Sequence, residues 1–394
     1  MPYEHYAQVV FTGRNRAELR QMAGPAGAAG GAAGAGEGDG AAGGRASAVA
    51  TGRDTVGEQA LGPRQILIRT DYTLISPGTE LAWFSGMQRE VSGDAFQYPI
   101  YSGYCHTGTV TACGPAVERF GVGDRVVTGA GHVSHVVVDT ERDFEVTHSD
   151  LRKPLGRVPD NVPQVLAPFA KIAEIAVTAV RIADFSLGEK VLVLGQGMVG
   201  NLASQLFQLA GADVLAADIS PFRLDKAKAC GIRNVVNPAE ENLQQVINDW
   251  SHGVGADVTV ESAGNSRLLM EAVRYTRRLG DVIILGTPRK AHEFNPTPDL
   301  WHAHMKGITI KGALRCLFYP LHESNLNRRS VERDLCECLR LISSDQIRVK
   351  PLHTHTFAPA ECGQAYADLL EARDTAIGAV FDWAATDDGA GGTP

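Results

Sequence analysis

Three glycines carry the clearest chemical spacing in the chain: Gly195, Gly197 and Gly200, within Gly195-Gln196-Gly197-Met198-Val199-Gly200. A bare G-x-G-x-x-G is weak evidence, so its setting decides what it means. Here it follows an apolar run, Val191–Leu194. It opens a segment with apolar residues at Val199, Leu202, Ala203, Leu206, Phe207 and Ala210, which is helical spacing. A second apolar run, Val214–Ala217, leads into Asp218, eighteen positions beyond Gly200. Strand, glycine turn, helix, strand and acid together form a dinucleotide cradle. Gly195 permits the tight turn, Gly197 lets the backbone approach a pyrophosphate, and Gly200 allows close helix–strand contact. The helix start, with Met198 and Val199, offers free N–H groups and a positive dipole end to the phosphates. Asp218 accepts hydrogen bonds from the adenosine ribose hydroxyls, which favours NAD. Arg223 nearby would accommodate a 2′-phosphate, so NADP stays open. The competing reading is a glycine-rich turn that holds no ligand.

The elements around this motif are legible from period and punctuation. An opening strand is expected near Tyr6–Thr12 and a second at Gln65–Thr70. Residues 23–56 between them are nearly all Ala and Gly, and read as a flexible surface insertion. Short β-branched runs with Gly, Pro and Asp turns continue to about residue 150, with no helix of any length. From about Leu166, long helix-period segments alternate with the short apolar runs Val191–Leu194, Val214–Ala217, Val258–Glu261 and Val282–Leu285. That alternation predicts a parallel sheet covered on both faces. A helix over Val331–Ser343, a strand at His353–Phe357, a helix near Pro359–Glu371 and a last strand at Gly378–Trp383 follow. The fold class is therefore α/β: a doubly wound parallel sheet beside a mostly β domain. Residues 385–394 form a polar, Gly-rich tail.

Composition sets outer limits. The chain has 394 residues, 44% hydrophobic and 21% charged, enough for two domains with a sizeable core. A net charge of −8, with both signs interspersed, argues against a nucleic-acid partner. No stretch reaches the roughly 20 apolar residues that span a bilayer, and the start lacks a secretory pattern. Seven dispersed cysteines without a C-x-x-C fit a reducing compartment, so cytoplasm is the expected location.

Taken together, Phe120-Gly121-Val122-Gly123-Asp124-Arg125-Val126, the glycine fingerprint seventy residues on, and Glu261-Ser262-Ala263-Gly264 resemble the medium-chain dehydrogenase/reductase family. The resemblance runs from the first strands to about Trp383. It implies a GroES-like catalytic domain built from both chain ends (1–166 and 317–384) around a Rossmann domain (167–316), with substrate in the cleft between. It also implies cofactor contacts at Gly195, Gly197, Gly200, Asp218, Arg223 and the Leu285-Gly286 backbone. The edge strand Ile308–Ile310 resembles the one through which family members form homodimers.

By the same resemblance, the zinc-dependent branch carries ligands at three positions that read differently here. Pro77, in Pro77-Gly78-Thr79-Glu80, replaces a cysteine; Tyr104 replaces a histidine; Lys171 stands where a Cys or Glu would be. Proline and a protonated lysine cannot bind zinc, and a neutral tyrosine binds it poorly. No metal is expected. Hydride transfer to a carbonyl still needs a proton or positive charge at the nascent alkoxide. The substitutions suggest a relay in which the Lys171 ammonium lowers the pKa of the Tyr104 phenol and Thr79 passes the proton on. Tyr104 filling a vacated metal site, Lys171 paired with Glu174, and His106 as the proton carrier are the alternatives.

The leading reaction is reversible oxidation of a secondary alcohol to a ketone, on a small molecule such as a sugar, cyclitol or natural-product intermediate. Hydride addition to an activated C=C bond, as in the family's quinone and enoyl reductases, is the second reading. A redox-inert dinucleotide-binding protein is the third. Arg315, Tyr319, Arg328 and Arg329 are candidates for lining the cleft.

Overall fold

The computed structural model describes residues 5–23, 61–92, 97–141, 154–314, 319, 320, 322, 324, 325, 329–372 and 375–384. The expectations for the Ala/Gly-rich insertion beyond Ala23, the C-terminal tail, Arg315 and Arg328 fall outside these residues.

Three sheets organise the chain. The first comprises β1 (His5–Gly13), β2 (Arg16–Ala23) and β4 (Ile100–Tyr101), in the order β2-β1-β4. The second draws on both chain ends. It contains β3 (Gln65–Ile75), β5 (His106–Cys113), β6 (Arg125–Thr128), β7 (His135–Asp139) and β8 (Leu155–Arg157), joined by β15 (His353–Phe357) and β16 (Gly378–Asp382). β16 pairs antiparallel with β3, from Ala379 opposite Ile75 to Asp382 opposite Tyr72, which ties the C-terminal segment to the N-terminal one.

The third sheet is parallel and ordered β11-β10-β9-β12-β13-β14. Its strands are β9 (Lys190–Leu194), β10 (Asp213–Ala217), β11 (Asn234–Val236), β12 (Ala256–Glu261), β13 (Thr276–Ile284) and β14 (Thr309–Gly312). Val191, Leu192 and Val193 are fully buried because helices cover both faces, which explains the unbroken apolar run in the sequence. The order reverses between β9 and β12. A crevice opens at their carboxyl ends, the place where doubly wound sheets bind ligands.

Four helices frame that crevice. α1 (Pro77–Phe84) and α2 (Met87–Ser92) lie in the N-terminal half; α3 (Phe169–Ile182) and α4 (Met198–Leu209) pack on the parallel sheet. Leu202, Ala203 and Leu206 of α4 share one core with Ala173, Ala176 and Val177 of α3. The expectation of no helix before residue 150 is corrected by α1 and α2. A Pro-Gly pair reads as a turn, yet Pro77 sits at the first helical position, where its missing N–H costs nothing. Glu80 Oε1 accepts the Ser76 N–H at 2.8 Å, and Leu81, Ala82, Trp83 and Phe84 are buried. Tertiary burial, not periodicity, fixes so short a helix.

Candidate active site

The glycine turn leaves β9 at Gly195 with φ +94°, a left-handed conformation suited to glycine. Gly197 is the N-cap of α4, and no side chain caps that helix start, so its first N–H groups remain available. A Cβ at Gly197 would meet no heavy atom within 4 Å, whereas one at Gly200 would lie 2.0 Å from the Gly195 carbonyl oxygen. The first glycine thus faces open space and the second is pressed against the turn. Ser262, at the end of β12, braces the same point: its hydroxyl donates to the carbonyls of Leu194 at 2.9 Å and Gly195 at 2.8 Å. Sequence reading passed over Ser262 except as part of a motif, since a serine after a strand carries no spacing signal.

Asp218 directly follows β10 and is buried. Its Oδ2 accepts the Gln196 N–H at 2.6 Å and its Oδ1 accepts the Ser220 N–H at 2.9 Å. Arg223 Nη1 lies 3.7 Å from the same carboxylate. The acid therefore holds the glycine turn in shape.

A cavity of about 470 Å³ brings together both halves of the molecule. Gly195, Gly197, Met198, Val199, Arg223, Leu285 and Gly286 line it from the parallel-sheet side, Lys171 from α3, and Thr79 and Tyr104 from the N-terminal half. His106 does not reach it. That histidine is fully buried in β5, with Nε2 2.7 Å from Thr70 Oγ1, so its expected part in proton transfer is withdrawn. Tyr319 is not in the cavity wall, and Arg329 donates to the Arg181 carbonyl at 3.3 Å elsewhere.

The expected Lys171–Tyr104 coupling is also corrected. Lys171 Nζ is 2.5 Å from Glu174 Oε2, one turn along α3, and no hydrogen bond joins it to the Tyr104 hydroxyl, whose partners are Ser76 and Thr79. The Tyr104 hydroxyl donates to Ser76 Oγ at 2.5 Å and has Thr79 Oγ1 at 3.3 Å. Burial, followed by the neighbouring Cys105, pushes the phenol well above its ordinary value. Tyr104 is therefore a protonated phenol at neutral pH and not an incipient tyrosinate.

A residue absent from the sequence reading also lines the cavity. Arg289, in the loop after β13, crosses to the opposite half and places Nη2 3.1 Å from Thr79 Oγ1. Burial lowers the pKa of its guanidinium from the ordinary value. No motif flags it, because a lone arginine in a loop has no periodic signature.

The three positions at which the resemblance places zinc ligands hold a proline, a phenol hydrogen-bonded to serine, and an ammonium paired with Glu174. Among the described residues, no group of three His, Cys, Asp or Glu side chains is arranged to hold a metal ion.

Below the cavity floor, Glu80 forms a fully buried network. Its Oε2 lies 2.9 Å from His132 Nε2 and accepts from the Tyr366 hydroxyl at 2.5 Å. Such a network fixes α1, and with it Thr79, because each member is satisfied only in this arrangement.

Glu261, at the carboxyl end of β12, has a further consequence. Burial raises its carboxyl from 4.5 to about 7, although the Gly264 N–H at 3.2 Å and the Asn265 N–H at 3.3 Å favour the ionised form. A raised carboxyl means that the folded chain binds the proton more tightly than the unfolded one. Its stabilising contribution is full below pH 4.5 and is lost as pH climbs toward about 7. Denaturant melts of wild type and Glu261→Gln between pH 5 and 8 should show the wild type alone losing on the order of 3 kcal/mol. Parallel curves would refute that assignment.

Residues 199–327 match the family described as zinc-binding dehydrogenase. That stretch contains none of Pro77, Tyr104 and Lys171. The chain is 24% identical over 330 residues to 2-dehydro-3-deoxy-L-galactonate 5-dehydrogenase of Pseudoalteromonas atlantica, covering 79% of this chain and 90% of that one. It is 26% identical over 352 residues to L-threonine 3-dehydrogenase of Deinococcus deserti, covering 82% and 92%. An Escherichia coli oxidoreductase/dehydrogenase of unknown specificity shares the fold with a TM-score of 0.71 at 19% identity, over 96% of this chain and 99% of that one. The glycine turn at the sheet's switch point, the catalytic sheet closed by both chain ends and these full-length likenesses agree: the chain belongs to the medium-chain dehydrogenase/reductase family of NAD(P)-dependent oxidoreductases.

Proposed function

We propose that the protein interconverts a secondary alcohol and a ketone by hydride transfer without zinc, and that it prefers NAD to NADP. The reading rests on one observation above all: the hydroxyls of Thr79 and Tyr104 share a cavity with the glycine turn and the Leu285-Gly286 backbone. When bound, the nicotinamide supplies or accepts the hydride. The chain's own groups handle the oxygen. Thr79 Oγ1 and the Tyr104 hydroxyl, 3.3 Å apart, hold the substrate oxygen, and the protonated phenol donates to the alkoxide formed on reduction. Ser76 Oγ, 2.5 Å from that phenol, is the next polar atom through which a proton is replaced. The Asp218 carboxylate favours NAD by repelling a 2′-phosphate, and Arg223 beside it softens that preference.

Residues 1–166 and 317–384 act in this reading as the catalytic domain, and 167–316 as the cofactor domain. The edge strand β14, with Ile310 exposed, and the exposed Trp301 and Met305 on the helix before it support a homodimer through the parallel sheet. Among the described residues, six cysteines are free thiols, in keeping with a reducing cytoplasm, and no helix is long and apolar enough to cross a membrane.

Absorbance at 340 nm, followed with alcohols, ketones and enones and with both cofactors, tests the reading. Turnover of alcohol–ketone pairs, faster with NAD(H), is expected. Reduction of enones alone would move the chain to the C=C-reducing reaction.

A further inference from the structure

We propose that Arg289 and Thr79 form an oxyanion subsite, so that the substrate carries a carboxylate or phosphate close to its carbinol carbon. The proposal rests on the hydride-transfer reading above and names the substrate class for the same cleft.

The charge balance of the cavity leads to it. Three other charged side chains line the wall: Lys171, Glu174 and Arg223. Lys171 and Glu174 neutralise one another at 2.5 Å, and Arg223 has the Asp218 carboxylate at 3.7 Å. Arg289 has no such carboxylate among the described residues; its hydrogen bond goes to the neutral Thr79 hydroxyl. Glu261 acts on it only through space, with no hydrogen bond or ion pair between the two among the described residues. One positive charge is therefore left over, in a cleft whose burial already disfavours it.

A guanidinium has five N–H donors in a planar fork. One hydroxyl acceptor leaves most of that fork unused. An uncompensated cation in a partly desolvated site is costly unless an anion completes it. A carboxylate or phosphate matches the fork in two-point fashion and satisfies both charge and donors.

The backbone makes room for the group. A Cβ on Gly78 would stand 3.1 Å from Arg289 Nη1, and one on Gly264 would stand 3.4 Å from it. Glycines from opposite halves of the molecule thus flank the guanidinium and keep it at the mouth of the reaction site. Thr79 then touches both the anion site and the reacting oxygen, which keeps the two close together. A strap that merely closed the cleft over Thr79 would need a donor but no charge, so Arg289→Gln distinguishes the two roles.

The test uses the full chain saturated with NADH, whose bound fluorescence is titrated with propionate, inorganic phosphate and propionamide. Propionate or phosphate should bind, propionamide should not, and whichever anion binds more tightly identifies the form that the substrate carries. Arg289→Gln should weaken anion binding at least tenfold while holding NADH as wild type does, and Arg289→Lys should fall between. Anion binding unchanged in Arg289→Gln, or no anion binding by the NADH-saturated wild type, overturns the proposal. Failure of wild type to bind NADH would sink the dinucleotide reading with it, and is seen before any anion is added.

Discussion

Gly197→Val is expected to raise the dissociation constant for NADH by about 100-fold or more while leaving the melting temperature of the ligand-free protein within about 2 °C of wild type. The backbone at Gly197 has φ −64°, which any residue adopts, and nothing lies within 4 Å of the added Cβ. The native fold therefore tolerates the side chain. What suffers is the space in front of the first α4 N–H groups, where a pyrophosphate must approach the backbone closely. An affinity loss of that size corresponds to about 2.7 kcal/mol. Gly200→Ala makes the opposite case. Its Cβ would lie 2.0 Å from the Gly195 carbonyl oxygen and 2.3 Å from Ser262 Oγ, so the turn itself must move and stability falls along with binding. Differential scanning calorimetry and fluorescence titration on both variants separate the two effects. Unchanged NADH affinity in Gly197→Val would place the cofactor elsewhere.

Tyr104→Phe should lower turnover by about 10²–10⁴-fold with cofactor affinity unchanged, since the ring still fills its place and only the proton donor is lost. Thr79→Val should cost less, because Tyr104 remains to hold the oxygen. The phenol's raised pKa fixes the sign of the pH dependence: it is the protonated form that acts, so carbonyl reduction does not lose this donor as pH rises from 6 to 9. Lys171→Met has a different outcome. Removing the ammonium takes the 2.5 Å ion pair away from the buried Glu174, so stability falls first and any loss of rate follows from it. Steady-state kinetics on folded protein, with kcat and KM separated, distinguish these cases. Near wild-type kcat in Tyr104→Phe would remove the phenol from the reaction.

Much of the fold could be read ahead of the structure, for identifiable reasons. The parallel strands are buried on both faces and so announce themselves as short apolar runs. Val331–Ser343 and His353–Phe357 emerge as expected because period and boundary signals coincide there. The helix α1 did not, because Pro77-Gly78 carries a turn signature that burial of Trp83 and Phe84 overrides. The hairpin partner β2, Arg16–Ala23, was missed because its alternation is weak and its register comes from β1.

At the site, legibility tracked backbone constraint. Glycines reveal themselves where a side chain is excluded, Gly195 by its left-handed φ and Gly200 by the close approach of the Gly195 carbonyl. Side-chain chemistry is less readable, because a partner in space has no address in sequence. Lys171 faces Tyr104's neighbourhood but pairs with Glu174, three residues away on its own helix. Arg289 finds Thr79 across 210 positions of chain, which no local pattern encodes.

The decisive measurement is turnover of the NAD-loaded protein after exhaustive chelation, with zinc counted per chain by mass spectrometry. Pro77, Tyr104 and the Lys171–Glu174 pair leave no tetrahedral donor set, so undiminished hydride transfer is expected at well below about 0.1 zinc per chain. Activity that disappears with the metal and returns on adding one equivalent of zinc would contradict the account.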